Sequence, residues 1–137
     1  MKKLVIVYLP NGKERVRTKM KLEITEDAKQ MIEKKLVEGD KIFLDYENGD
    51  SIFSSKGYSC GLDFVFKLIL LGKESTGYDT SSYDIPLETS IGTVWINKSG
   101  ENYLDKNIKF SFDKSYYSLR LSGDSGLITG DVNIERK

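Results

Sequence analysis

Every second residue from Leu62 to Leu70 is apolar: Leu62, Phe64, Phe66, Leu68 and Leu70. Side chains of a β-strand alternate between two faces, so this row lines one face of a strand. Val65, Ile69 and Leu71 make the other face largely apolar as well, which is the pattern of a central strand covered on both sides. Ile108, Phe110 and Phe112 repeat the alternation against Lys109 and Ser111, and Ile42, Leu44 and Tyr46 alternate with Phe43, Asp45 and Glu47. Rows of this kind need a facing layer. The chain therefore reads as α+β, mostly β: two packed sheets in a sandwich, or a flattened barrel, with one amphipathic helix at an end.

That helix is expected over Glu26–Val37. Ala28, Met31, Ile32 and Leu36 fall on one helical face. Thr25 precedes as the N-cap, its hydroxyl accepting from a free backbone N–H. Glu26 and Asp27 suit the positive end of the helix dipole, Lys34 and Lys35 suit the negative end, and Gly39 supplies the stop. Upstream, the apolar run Leu4–Leu9, the turn Pro10-Asn11-Gly12-Lys13 and an alternating stretch to Ile24 read as a hairpin. In that stretch Val16, Met20, Leu22 and Ile24 share one face, and Arg15, Arg17, Lys19 and Lys21 the other. Downstream, Asn48-Gly49-Asp50 reads as a turn and Ser51–Phe53 as a return. Residues 73–90 read as one long polar loop, Gly92–Ile96 as a short strand with Trp95, Ser99–Asn102 as a turn, and Leu119–Leu121 as a last strand. The glycine-containing tail from Ser122 reads as loop or loosely held strand. At 137 residues this is one domain's worth of chain.

Composition excludes several chemistries. There is no histidine, so no Ser-His-Asp or Cys-His catalysis and no imidazole ligand. There is one cysteine, Cys60, so the chain forms no internal disulfide and no thiolate metal site of its own. Basic and acidic residues are equal in number, 21 of each, which argues against a general nucleic-acid coat. No export signal or membrane span is visible, and a lone cysteine suits a reducing cytoplasm. No Gly-rich phosphate loop and no Asp-x-Asp-x-Asp-Gly calcium loop occurs. Nothing singles out a catalytic pair, so the chain is read as not an enzyme.

From Leu22 onward the order of features is a short strand, "ITEDAKQMIEKKL" at Ile24–Leu36, "GDKIFLDYENGD", a cysteine in "GYSCGLDF", a long apolar strand and "SGENYLDKNIKFSF". This order resembles the HesB-like, A-type family of iron–sulfur cluster biogenesis proteins. It is similar above all to a divergent branch found in lactic-acid bacteria and their relatives. The resemblance covers residues 22–134, making 1–21 an added basic hairpin on a HesB-like core within a single domain, 1–137. Cys60 matches the first cysteine of the family. The carriers end in Cys-Gly-Cys, whereas the corresponding region here is Gly123-Asp124-Ser125-Gly126. Clusters are held by thiolates, and one Cys60 per chain falls short of four even if a homodimer brings two together. The resemblance implies a non-catalytic scaffold, carrier or regulatory relative, with iron or an iron–sulfur cluster as its associated group and assembly proteins as partners. The residues themselves require no cofactor.

Each singled-out residue has an ordinary structural reading beside the functional one. Cys60 is a cluster or metal ligand, or a small loop residue. Asp124 is an oxygen ligand for a hard metal, or part of a turn of Gly, Asp and Ser. Arg15, Arg17, Lys19 and Lys21 face an acidic partner, or form a solvated strand face that guards an edge. On that face no aromatic residue interleaves to stack bases, which argues against nucleic acid. Tyr116-Tyr117 and Tyr78…Tyr83 mark a contact surface, or pack locally. A protein-binding module without metal, such as a toxin-neutralising or assembly partner, is the alternative reading of the whole chain.

Overall fold

A computed structural model describes residues 4–8, 14–18, 20–47, 51–53 and 65–137, with backbone alone for 4–8, 14–18 and 65. The strands are β1 (Leu4–Tyr8), β2 (Glu14–Thr18), β3 (Lys21–Ile24), β4 (Lys41–Glu47), β5 (Val65–Leu71), β6 (Ile85–Thr89), β7 (Gly92–Ile96), β8 (Asn107–Asp113), β9 (Ser118–Gly123), β10 (Gly126–Thr129) and β11 (Asn133–Arg136). The helices are α1 (Glu26–Glu33) and the four-residue α2 (Lys98–Glu101). β1 and β2 form the expected antiparallel hairpin, a two-stranded sheet of its own, with Leu4 opposite Thr18 and Tyr8 opposite Glu14.

The rest forms two mixed sheets. One runs β10-β9-β8-β3, with β3 parallel to β8; the other runs β11-β5-β4-β7-β6, with parallel pairs at β11/β5 and β4/β7. The alternate apolar rows meet between them. Ile42, Leu44 and Tyr46 of β4, Phe66, Leu68 and Leu70 of β5, and Val94 and Ile96 of β7 are buried against Leu22, Ile108, Phe110, Leu119 and Leu121 of the other sheet. Each such side chain taken from water contributes roughly 1.5–3 kcal/mol. The α+β, mostly β sandwich expected from periodicity is the architecture found, and neither sheet closes into a barrel.

Ala28 and Ile32 of α1 are fully buried, as their spacing requires. The helix is shorter than its apolar pattern. After Glu33 the chain tightens, with the amides of Lys35 and Leu36 bonding to the carbonyls of Ile32 and Glu33, and the Val37 amide donates to Asp40 Oδ2 at 2.8 Å. Lys34 and Lys35 therefore lie past the helix end rather than in its last turn. Thr25 occupies the N-cap position, but its hydroxyl donates to Asp27 Oδ1 at 2.6 Å instead of accepting from the backbone. Asp27 Oδ1 accepts the Ala28 amide at 2.9 Å, so the first-turn carboxylate satisfies a free amide.

Five other expectations change. The alternating stretch 15–24 is divided between β2 and β3, which belong to different sheets. Ser51–Phe53 is a bend and turn, not a return strand, while Asn48–Asp50 lies outside the described residues. The polar stretch 73–90 ends in strand β6, and the turn at Ser99–Asn102 is largely helix α2, whose N-cap Asn97 accepts the Gly100 amide at 2.9 Å. The tail supplies two strands. β11 pairs along β5 from Asn133 opposite Lys67 to Arg136 opposite Leu70. The Arg136 guanidinium grips both oxygens of Asp40, at 3.0 and 2.8 Å, and donates to the Lys35 carbonyl at 2.6 Å. That contact joins the tail to the turn after α1, and it holds the Asp40 carboxyl below its ordinary pKa. Among the described residues no helix is long and apolar enough to cross a membrane.

Candidate functional site

The region where the resemblance places the terminal thiolates is the turn between β9 and β10. Gly123 pairs with Gly126, leaving Asp124 and Ser125 as a two-residue loop. Asp105, twenty residues earlier, closes it: Oδ2 accepts both the Ser125 amide at 2.9 Å and the Ser125 hydroxyl at 2.7 Å. The same two donors hold the Asp105 carboxyl below the ordinary range, the backbone amide foremost. Asp124 Oδ2 accepts from the Asn107 side-chain amide at 3.2 Å. Two of the four turn positions take no larger residue without strain. A Cβ on Gly123 would collide with the Asp105 carboxylate, and Gly126 has φ +121°.

This turn sits at the end of the sandwich where β4 runs out. Tyr103, two residues before Asp105, stacks on Tyr46 of β4 with ring centroids 4.4 Å apart and planes inclined by 17°. β4 ends one residue later at Glu47, which pairs with Val65 at the start of β5. The segment that carries Cys60 connects these two positions. The fold thus brings the stems of both segments named by the resemblance to one end. Cys60 itself lies outside the described residues, as does Lys19. Arg15 and Arg17 fall in β2, described as backbone alone, and Lys21 is exposed at the start of β3.

A buried polar network lies on the outer face of the five-stranded sheet, and the sequence reading missed it. Lys67 is opposite Asp45 in the β4/β5 register. Its ammonium contacts Glu47 Oε2 at 2.8 Å and Glu135 Oε2 at 3.0 Å, and donates to the Phe53 carbonyl at 2.8 Å. Burial works to lower the Lys67 pKa, but the two hydrogen-bonded carboxylates outweigh it and raise it. Asp45, wholly buried, accepts the Tyr83 hydroxyl at 2.5 Å and the Ser51 hydroxyl at 2.7 Å. Burial dominates over these bonds and pushes the Asp45 carboxyl up; burial and the neighbouring carboxylate likewise push the Tyr83 hydroxyl up. The network ties β4, β5, β11, Ser51–Phe53 and the 78–83 segment together, so it anchors the stem of the Cys60 segment. One signal for it was in the sequence: Lys67 interrupts an otherwise apolar run in β5, and Asp45 and Glu47 share one face of β4.

The family profile described as iron-sulphur cluster biosynthesis matches residues 20–136, and the chain belongs to that family. The match begins and ends within two residues of the span expected from the motifs and leaves the hairpin outside it. Two solved structures share the fold. One is the crystal structure of a protein attributed to Fe–S biosynthesis in Lactobacillus salivarius, described as having a novel fold. It superposes with a TM-score of 0.72 at 24% identity, covering 85% of this chain and 98% of that one. The other, likewise attributed to Fe–S biosynthesis, comes from Lactobacillus acidophilus, with a TM-score of 0.63 at 19% identity, covering 84% of this chain and 88% of that one. No curated protein matches the chain.

The donor set does not fit a cluster held by this chain alone. The chain has one cysteine and no histidine. Among the described residues no three Asp, Glu, Cys or His side chains come together as a metal site. The turn where the resemblance places Cys-Gly-Cys is closed by hydrogen bonds from Ser125 to Asp105.

Proposed function

We propose that this protein is a non-catalytic member of cytoplasmic iron–sulfur cluster biosynthesis. It acts as a scaffold, carrier or regulatory relative through contacts with assembly proteins, and it does not hold a cluster with its own donors alone. The observation that carries this reading is the family match over 20–136; the β9–β10 turn, which the resemblance sets against the carriers' Cys-Gly-Cys, supports it by being stapled to Asp105 with no thiolate in it. Thiolate donation is what holds such clusters, and a single Cys60 leaves most positions on iron to a partner chain. The family match also favours this reading over a binding module unconnected with iron–sulfur assembly.

Anaerobic reconstitution with iron and sulfide tests it. The expected result is no stoichiometric iron or sulfide on the chain after gel filtration and no thiolate-to-iron charge-transfer absorbance. Deleting the gene should still lower the activity of iron–sulfur enzymes in the host. A full cluster per chain that withstands gel filtration, or host enzymes unaffected by the deletion, would overturn the proposal.

A further inference from the structure

The five-stranded sheet has a hydrophobic cluster on each face. The one between the sheets is the main core. On the outer face Phe43, Ile69 and Leu71 form a second, smaller cluster with Phe53 and Tyr83, and Tyr78 and Trp95 pack beside it. Phe53 and Tyr83 belong to no strand; they are buried over the sheet at the ends of the Ser51–Phe53 and 78–83 segments. These two covering segments are stitched together. The Phe53 ring meets Tyr78 and Tyr83 with centroids 5.3 and 5.5 Å apart. Ser51 Oγ accepts the Phe53 amide at 3.1 Å, donates to Asp45 Oδ2 at 2.7 Å and lies 3.4 Å from the Tyr83 hydroxyl, which donates to the same carboxylate.

We infer that Ser51–Phe53 and the 78–83 segment form a strap that opens as one unit while both sheets stay folded, with Ser51 as its latch. The anchoring of the two parts is unequal. β4 and β5 are paired along their whole length and sealed by the main core. The strap rests on a satellite cluster, a few hydrogen bonds and no ladder, and local openings arise in regions of that kind. Opening also leaves no charge stranded. Both carboxylates on Lys67 belong to strands, Glu47 to β4 and Glu135 to β11, so the ion pairs stay behind when the Phe53 carbonyl leaves. Water then replaces that carbonyl on Lys67 and the two hydroxyls on Asp45. Once Phe53 lifts, Tyr83 loses a ring neighbour and the nearby Ser51 hydroxyl, so the departure of one segment loosens the other. Phe53 precedes Cys60 by seven residues, and an open strap frees the stem of the Cys60 segment from the sheet. That such freedom lets the segment reach a partner's donors rests on the iron–sulfur reading; the motion itself does not.

Native-state amide hydrogen exchange on the full chain, without iron, tests the motion apart from the iron–sulfur reading. The probes are the Phe53 amide, bonded to Ser51 Oγ, and the Tyr83 amide, bonded to the Thr80 carbonyl. Both are expected to exchange through one opening of the same free energy and weak urea dependence, whereas amides at the centre of β4 and β5 follow the steep urea dependence of global unfolding. Ser51→Ala should speed Phe53 and Tyr83 by the same factor, about tenfold for a lost hydrogen bond to a charged group, and Ser51→Thr should restore the natural rates. Different opening free energies at Phe53 and Tyr83, exchange of both only by global unfolding, or a Ser51→Ala effect confined to Phe53 would each overturn the inference.

Discussion

The two faces of the five-stranded sheet are built on different physics. On the inner face Leu44, Phe66, Leu68 and Leu70 are buried in one hydrophobic cluster, and burial is their main contribution. On the outer face apolar residues at Phe43, Ile69 and Leu71 give way, within the same strands, to Asp45, Glu47 and Lys67. The inner face asks for volume and tolerates exchange of one hydrocarbon for another. The outer face asks for particular partners at particular distances, because a buried charge that loses its counterpart keeps its full desolvation cost.

The sharpest way to break this contrast is Lys67→Ala. It leaves Glu47, only 7% exposed, buried without its ammonium, and should lower unfolding free energy by about 3–5 kcal/mol in urea titrations. Leu68→Met, one residue away on the opposite face, should cost less than about 1.5 kcal/mol because volume is conserved. If the two substitutions prove equal, the distinction between the faces fails. Arg136→Lys probes an ion pair with one exposed member, 43% accessible against 2% for Asp40. It keeps the charge but loses the two-pronged geometry, and about 1 kcal/mol is expected by the same measurement.

The smallest effect concerns pH. The Asp45 carboxyl has a folded pKa above its unfolded value near 3.8, so folding favours its protonated form. That contribution is complete below the unfolded value and is lost as pH rises through the folded one. Asp45→Asn should therefore remove a downward slope in stability between acid and neutral pH. Parallel slopes for the two proteins would show that Asp45 is not the group responsible.

The inner face was legible because period-two hydrophobicity is a local signal, and the rows at Ile42–Tyr46, Phe66–Leu70 and Ile108–Phe112 all pack as read. The turn at Gly123–Gly126 was legible for a similar reason, from its turn-forming residues. What escaped is non-local. Asn-Ile-Glu-Arg does not announce a strand; it becomes β11 by lying along β5. Pro86 disguises β6, which is tolerated because that strand is at a sheet edge. Asp105 gives no hint that it will seat a loop twenty residues away, nor does Lys67 name Glu135 as a partner. Nor does the local pattern after the helix reveal that Arg136, about a hundred residues downstream, will take up the Lys35 carbonyl and Asp40.

The parallel pairing of β11 with β5 bears on how a nascent chain matures. Four strands of that sheet have emerged from the ribosome long before Glu135 does, yet Lys67 gains its second carboxylate only then. Until Glu135 has emerged, the ammonium has one of its two carboxylates, beside a sheet border that β11 does not yet cover.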